Sequence, residues 1–274
     1  MFDFVIQNEP VIRLSFFFGC LAAVGLWEIL RPKRILTAPK GWRWMNNLGL
    51  TFFNSFLLRF TFPVLAVGMA IIAEEKSWGV LNLIQMPLWL AVVIAIILQD
   101  LIIYAQHVAF HHIPIFWRLH KVHHADVDYD VTTGARFHPI EIVLSMMIKL
   151  GVVLLLGPPV VAVILFEIIL SSMAMFNHAN ARLPKSVDRL LRPILVTPDM
   201  HRVHHSIHHP EFNRNFGFNL AIWDRIFGTY KEQPDDGHAE MTIGLPEYQA
   251  NRKQSALWMI LLPFKRLADP SRKY

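Results

Sequence analysis

Apolar residues gather into long blocks along this chain, separated by short polar segments. Four blocks approach or exceed the roughly 20 residues that an α-helix needs to cross a bilayer: 11–30, 48–73, 80–104 and 140–176. Arg13 lies near one end of the first, where it can snorkel to the interface. Arg59 and Pro63 interrupt the second. The fourth is too long for one crossing and is broken at Gly157-Pro158-Pro159. Proline cannot continue a helix, so the block predicts a helical hairpin. Its first limb is short and carries Lys149, which suits a re-entrant or tilted segment. The expected fold is all-α: a multi-pass transmembrane helical bundle of about four spans, one of them a hairpin. Residues 11–104 supply the N-terminal membrane helices of a single domain, 1–274.

Basic residues orient the bundle. Arg31, Lys33, Arg34, Lys40 and Arg43 follow the first block, whereas the first ten residues hold Asp3 and Glu9 and no base. The positive-inside rule places 31–43 in the cytoplasm. The Glu74-Glu75-Lys76 turn then lies outside, the third block returns inward, and the hairpin leaves and comes back. On this topology one cytoplasmic face collects every histidine. The opening MFDFVIQNEP lacks the basic region and cleavage site of a removable signal peptide. The polar 231–244 stretch reads as a loop, and 255–264, short and apolar between bases, as an interfacial helix.

Composition agrees. The chain has 274 residues, 54% hydrophobic and 17% charged, with a mean hydropathy of +0.36. A disordered chain is excluded, and an ordinary soluble domain is disfavoured. The net charge of +5 is carried beside apolar blocks, so anionic headgroups rather than nucleic acid are the expected polyanion. The single cysteine, Cys20, permits no internal disulfide and no cysteine-based zinc cluster.

Of fourteen histidines, thirteen fall between His107 and His209. His107 and His111 are four apart at the end of the third block, on one helical face with Asp100 and Tyr104. The sequence H-x-x-H-H occurs twice, as His120, His123 and His124 and as His201, His204 and His205. Such spacings let several imidazoles reach one ion. His138 and His178 stand singly in R-F-H-P-I-E and F-N-H-A-N. Ten imidazoles suit two metal ions and exceed the needs of one. His112, His208 and His209 read as neighbours or solvated extras, and His238 as exposed in a loop. Asp100, Asp126, Asp199 and Asp224 flank the boxes, where carboxylates can accept the second ring N–H of a ligating histidine. Trp117 and Arg118 can clamp the first box, Arg136 and Glu141 can pair to hold His138, and Arg59 can pair with Asp100 or snorkel. The W-D-R-I-F-G-T-Y run from Trp223 can brace the last box.

The ordered set His107-xxx-His111, His120-xx-His123-His124, R-F-His138-P-I-E, F-N-His178-A-N, His201-xx-His204-His205 and W-D-R-I-F-G-T-Y resembles the fatty acid hydroxylase / sterol desaturase superfamily over about 100–230. Val108 departs from it, since many relatives place a base there. The resemblance implies an integral membrane non-haem di-iron oxygenase. The ten histidines would hold two Fe ions, with O2 as co-substrate and a fatty acyl or sterol-like lipid as substrate. Asp199, His138 or a water held by Asn177 could supply protons. The chain has no GxGxxG fingerprint, haem-attachment motif or iron–sulfur cysteine set, so a separate cytoplasmic-side electron-transfer protein is expected. Two other readings of the histidines stand beside it: a membrane metal transporter or sensor, and a zinc-dependent lipid hydrolase. The interleaved Trp, Arg and Pro favour a rigid site over a transporter loop, and the absence of HExxH weighs against the hydrolase.

Overall fold

The computed structural model describes residues 2–265. Its helices are α1 (Phe2–Gln7), α2 (Glu9–Leu30), α3 (Lys40–Thr61), α4 (Ala66–Glu75), α5 (Leu88–His112), α6 (Pro114–His124), α7 (Pro139–Leu156), α8 (Val160–Asn177), α9 (Lys185–Leu191), α10 (Pro198–His204), α11 (His209–Phe212), α12 (Ile222–Ile226), α13 (Gly237–Glu240) and α14 (Ala256–Leu261). Among the described residues strand pairing is limited to three isolated bridges.

Prolines set most of the boundaries. Pro10, Pro114 and Pro139 occupy first-turn positions, where the missing N–H costs nothing. Pro63 ends α3, and Pro87 separates the turn at Val80–Leu83 from α5. The third apolar block is therefore not one helix from residue 80. Its crossing starts at Leu88 and runs on to His112. Gly157 caps α7 in the left-handed region (φ 62°), and Pro158-Pro159 redirects the chain into α8. Gly79 packs against this corner so closely that a Cβ there would lie 2.2 Å from the Gly157 nitrogen.

Five segments are long and apolar enough to cross a membrane: α2, 40–83 (α3 and α4 together), α5, α7 and α8. The chain is an integral membrane protein. The limb preceding Gly157, expected as a short re-entrant or tilted segment, is no shorter than its partner. At 18 residues α7 matches α8, and each rises about 27 Å. Small residues Ala66, Ala70 and Ala73 let α4 lie close against the α7–α8 hairpin. Phe16, Phe18, Phe52, Phe53, Phe56 and Phe60 point outward, as a lipid-facing surface requires.

The Gly79–Gly157 corner marks one end of the bundle. At the other, α2, α5 and α8 arrive while α3 and α7 leave. A polar cap is built there from α6, 125–138 and the chain beyond His178. Its hydrophobic seat joins Leu50 of α3 with Val122, Ala125, Met259 and Leu262. The 255–264 segment is helical over Ala256–Leu261, with Met259 buried and Leu257, Leu261 and Phe264 leaving an apolar face exposed. The 231–244 stretch is less of a free loop than expected, since it contains α13 and buries Met241 and Ile243 against Tyr129.

Candidate metal centre

Four chain segments deliver nine buried histidines to the capped end. Helix α5 carries His107 and His111. Helix α6 carries His120, His123 and His124. His178 caps α8, and α10 ends in His201, His204 and the capping His205. They form two groups. In the first, His107, His111, His120, His124 and His204 bring one ring nitrogen each within 4.8 Å of all the others. In the second, His123, His178, His201 and His205 do the same. Each H-x-x-H-H box is thus divided. Neighbouring residues on a helix diverge by about 100°, so His123 and His124 face different points, as do His204 and His205. The groups adjoin: the His124 and His205 rings stack at 4.6 Å and those of His120 and His123 lie 5.2 Å apart.

Hydrogen bonding aims the lone pairs inward. Nδ1–H of His107 donates to the Phe216 carbonyl at 2.8 Å, that of His204 to Arg214 at 2.8 Å, and that of His178 to Ala174 at 2.7 Å. His120 Nδ1 meets a Glu141 oxygen at 2.7 Å. Each bond puts the proton on Nδ1 and leaves Nε2 as a free donor atom. Nε2 of His107, His120, His124 and His204, and both nitrogens of His111, are buried with no protein partner. In the second group, His178 Nε2 lies 3.2 Å from Nε2 of His123, His201 and His205 alike. One lone pair cannot accept three hydrogen bonds. A metal with nitrogens at about 2.1 Å would space them about 3.0–3.4 Å apart. Burial, with the surrounding imidazoles, holds His123, His124, His201 and His205 well below the usual imidazole range. Burial brings His178 down to about 4 and His204 to about 3. Neutral, convergent and otherwise unsatisfied, these nitrogens fit a metal.

Other expected residues land elsewhere. His138 belongs to neither group. Its Nδ1 caps α7 by accepting from Ile140 N at 3.2 Å, and its Nε2 meets the Ile260 carbonyl at 3.1 Å. Both nitrogens are spent on backbone. Arg136 does not pair with Glu141; it donates to the Val122 carbonyl and to Gln254, and Glu141 supports His120. None of the four flanking aspartates accepts a ligand ring N–H. Asp100 receives Trp223 Nε1 and Leu220 N, and Asp224 receives Phe216 N, Gly217 N and the Thr229 hydroxyl. The W-D-R-I-F-G-T-Y run, expected to brace the last box, holds through Asp224 the segment whose Phe216 carbonyl orients His107. Asp126 binds Arg43. Arg59 is exposed and not joined to Asp100. Asp199 pairs with Arg202 and Lys33, which hold it at about 2 against the cost of burial. Asn177 donates to Phe218 O, and its buried side-chain oxygen has no partner. Trp117 packs on His111 and His124, while Arg118 grips the Pro263 carbonyl. His112, His208 and His209 are exposed. His238 is not; it is half-buried, 3.8 Å from Asp199.

Two acidic residues carry the framework, one expected beside a different histidine and one with no mark in the sequence. Glu141 is one. Glu28, 4% exposed near the end of α2, accepts Val131 N at 2.7 Å and Asn180 N at 2.9 Å. It thereby ties the loop after the first box to the segment after His178. Arg43 adds a second tie through Asp126 and Asp130. Groups that hydrogen-bond a ligand directly typically contribute 10–100-fold to metal affinity. Glu28 acts one step further out, on the Val131 and Asn180 amides, so Glu28→Ala is expected to lower metal retention in dialysis against a chelator by less than about tenfold. Unchanged retention would show that Glu28 supports only the fold.

A protein-family model described as fatty acid hydroxylase matches residues 92–229. The chain belongs to the fatty acid hydroxylase family. The match takes in all nine converging histidines and begins within α5, beyond Glu28 and Arg43. An ornithine lipid hydroxylase of Rhizobium tropici is 29% identical over 58% of this chain and 47% of its own length. Human alkylglycerol monooxygenase is 32% identical over 47% of this chain and 28% of its own. A very-long-chain aldehyde decarbonylase of rice (Oryza sativa subsp. indica) is 26% identical over 54% and 24%. The matched region spans less than half of each of these relatives. No solved structure matches.

Proposed function

We propose that this family member is a membrane-bound non-haem di-iron oxygenase that hydroxylates or desaturates a lipid with O2 and external electrons. One observation carries the reading. Two adjacent sets of buried imidazoles stand at the head of a cavity of about 330 Å³ that descends between the membrane helices. His107 and His120 of the five-residue set and His123 of the four-residue set line it, with Phe110, Phe137, Phe218 and Met175 around them. A chain lying in the bilayer can reach the metals there past Phe110, Phe137, Phe218 and Met175.

The histidine set suits iron by ligand type. A pair of irons would activate dioxygen, the step that side chains alone cannot perform. The overall change is R–H with O2, two electrons and two protons giving R–OH and water. Desaturation consumes the same reductant and releases two waters. The protein's own part is to fix the ligands, through Glu141 on His120 and the backbone carbonyls on His107, His178 and His204. Its aromatic residues keep the cavity dry at the reacting end. Iron, the number of ions and the substrate's identity belong to this proposal. So do the cytoplasmic placement of the capped end, argued from Lys33, Arg34 and Lys40 beside it, and a separate electron-transfer protein docking there.

The test is elemental analysis of protein purified from native-level expression, paired with mass spectrometry of lipid extracts from cells with and without the gene. Two irons per chain and an oxygenated or desaturated lipid that requires O2 and reductant are the expected results. Iron-loaded protein that leaves every lipid unchanged under reducing, aerobic conditions would overturn the assignment.

A further inference from the structure

The far end of the membrane cavity is not apolar. Glu141, Ser145 and Lys149 follow one another at four-residue spacing on the cavity face of α7. Glu141 touches the metal centre through His120, so the backbone at Lys149 lies two turns deeper, about 12 Å along the axis. Opposite it, Glu167 of α8 is 7% exposed and takes both Lys149 Nζ at 2.5 Å and Arg13 at 2.6 Å. Arg13 in turn meets Glu9 at 2.6 Å. Gln106 of α5 bonds to the Ser145 hydroxyl on the same wall, and Ser171 follows Glu167 by one turn. Charges within a membrane segment are costly and usually serve a function. The ion pairs alone would hold α2, α7 and α8 together. They do not explain why Lys149, with further N–H groups to give, forms part of a cavity wall that is otherwise continuous with the metal site.

We propose that Lys149 is a polar anchor in the substrate cavity. The lipid it accepts carries an uncharged oxygen group, hydroxyl or carbonyl, set back along the chain from the carbon that reaches the metals. The inference rests on the cavity being the oxygenase's substrate site, and it names the substrate class of that site. The charge balance selects a neutral group. Glu9, Arg13, Glu167 and Lys149 alternate and cancel, so a carboxylate would add an uncompensated charge inside the membrane. A plain hydrocarbon would cover the ammonium and leave its remaining donors without partners. A hydroxyl or carbonyl oxygen accepts from Lys149, and a hydroxyl can also donate to the Gln106–Ser145 pair. Anchoring at this depth also sets which carbon stands before His107, His120 and His123, so Lys149 is a specificity-determining residue rather than a catalytic one.

Binding can be read without turnover. The full chain in phosphatidylcholine nanodiscs is given a fluorescent fatty alcohol, which is displaced by 1-dodecanol, dodecane or dodecanoate. The wild type is expected to prefer 1-dodecanol to dodecane by about tenfold, the scale of one hydrogen bond to a charged group, and to gain nothing from dodecanoate. Lys149→Met should bring the preference close to unity with metal content unchanged. Lys149→Arg should keep part of it. Equal affinity of the wild type for alcohol and alkane, tighter binding of dodecanoate, or a preference that survives Lys149→Met would each overturn the proposal. The wild-type comparison decides even if Lys149→Met does not fold. Alcohol preference in a protein that binds iron yet oxidises no lipid would sink the oxygenase reading and leave Lys149 as the polar contact of a lipid-binding cavity only.

Discussion

Replacing His178 with alanine is expected to release one of two metal ions and to lower turnover by more than about 100-fold, beyond what loss of a supporting residue typically costs. The geometry makes His178 the hub of the four-residue group, since its Nε2 alone is 3.2 Å from the other three Nε2 atoms. Three imidazoles would remain, around a space that no nearby side chain fills. The five-residue group shares no ligand with the four-residue group, so its ion should stay. His204→Ala should behave differently. It takes one of five ligands, leaves four, and is expected to retain more metal while still impairing turnover. His138→Ala should keep both ions, because neither of its nitrogens faces a group. Metal per chain, measured on each variant after size exclusion, checks all three. Two ions retained by His178→Ala would refute the division of the histidines into these groups.

That division shows what a sequence pattern can and cannot convey. Block lengths and the Gly-Pro-Pro break gave the membrane helices and hairpin, because crossing length and helix-breaking are local properties. The i, i+3, i+4 spacings marked eight of the nine converging histidines as ligand-like, and His178 followed from its place at a helix end. His138 looks identical on that evidence, as a lone histidine beside proline. What separates it is the N-cap geometry of α7, which turns Nδ1 back onto its own helix. The supporting carboxylates were harder to find. Proximity in sequence favoured Asp126, Asp199 and Asp224, yet Glu28 acts across roughly a hundred residues and more. Glu167 did leave a trace: an acid in the second limb of the hairpin facing a base, Lys149, in the first. Such a pair inside an apolar run predicts an intramembrane contact. The Arg59–Asp100 pairing used the same logic and failed: Arg59 is exposed, and Trp223 and the Leu220 amide take one oxygen of Asp100 instead.

Acidification should destabilise the metal-free protein steeply between about pH 6.5 and 4, and the metal-loaded protein much less. In an unfolded chain imidazoles titrate near 6.5. In the folded one, burial and mutual repulsion hold His123, His124, His201 and His205 far lower, with His178 near 4 and His204 near 3. Below pH 6.5 the unfolded state therefore binds protons that the folded state refuses. Stability is complete above the unfolded value and is lost as pH falls toward the folded ones. Each group contributes up to about 1.4 kcal/mol per pH unit; six together set an upper limit on the order of 8 kcal/mol per unit. Asp126 and Asp199, both held near 2, act with the same sign but only at lower pH, so the two windows separate. A bound ion occupies the lone pairs that protons would take, and its release becomes the acid-sensitive step. Melting temperatures of metal-free and metal-loaded protein in nanodiscs from pH 8 to 5 provide the measurement. His178→Ala, with one imidazole fewer, should show a shallower slope in the metal-free series. A melting temperature of the metal-free protein that stays level from pH 7 to 5 would mean that these imidazoles are already protonated or hydrated in the fold, and neither state could present nine free nitrogens to metal.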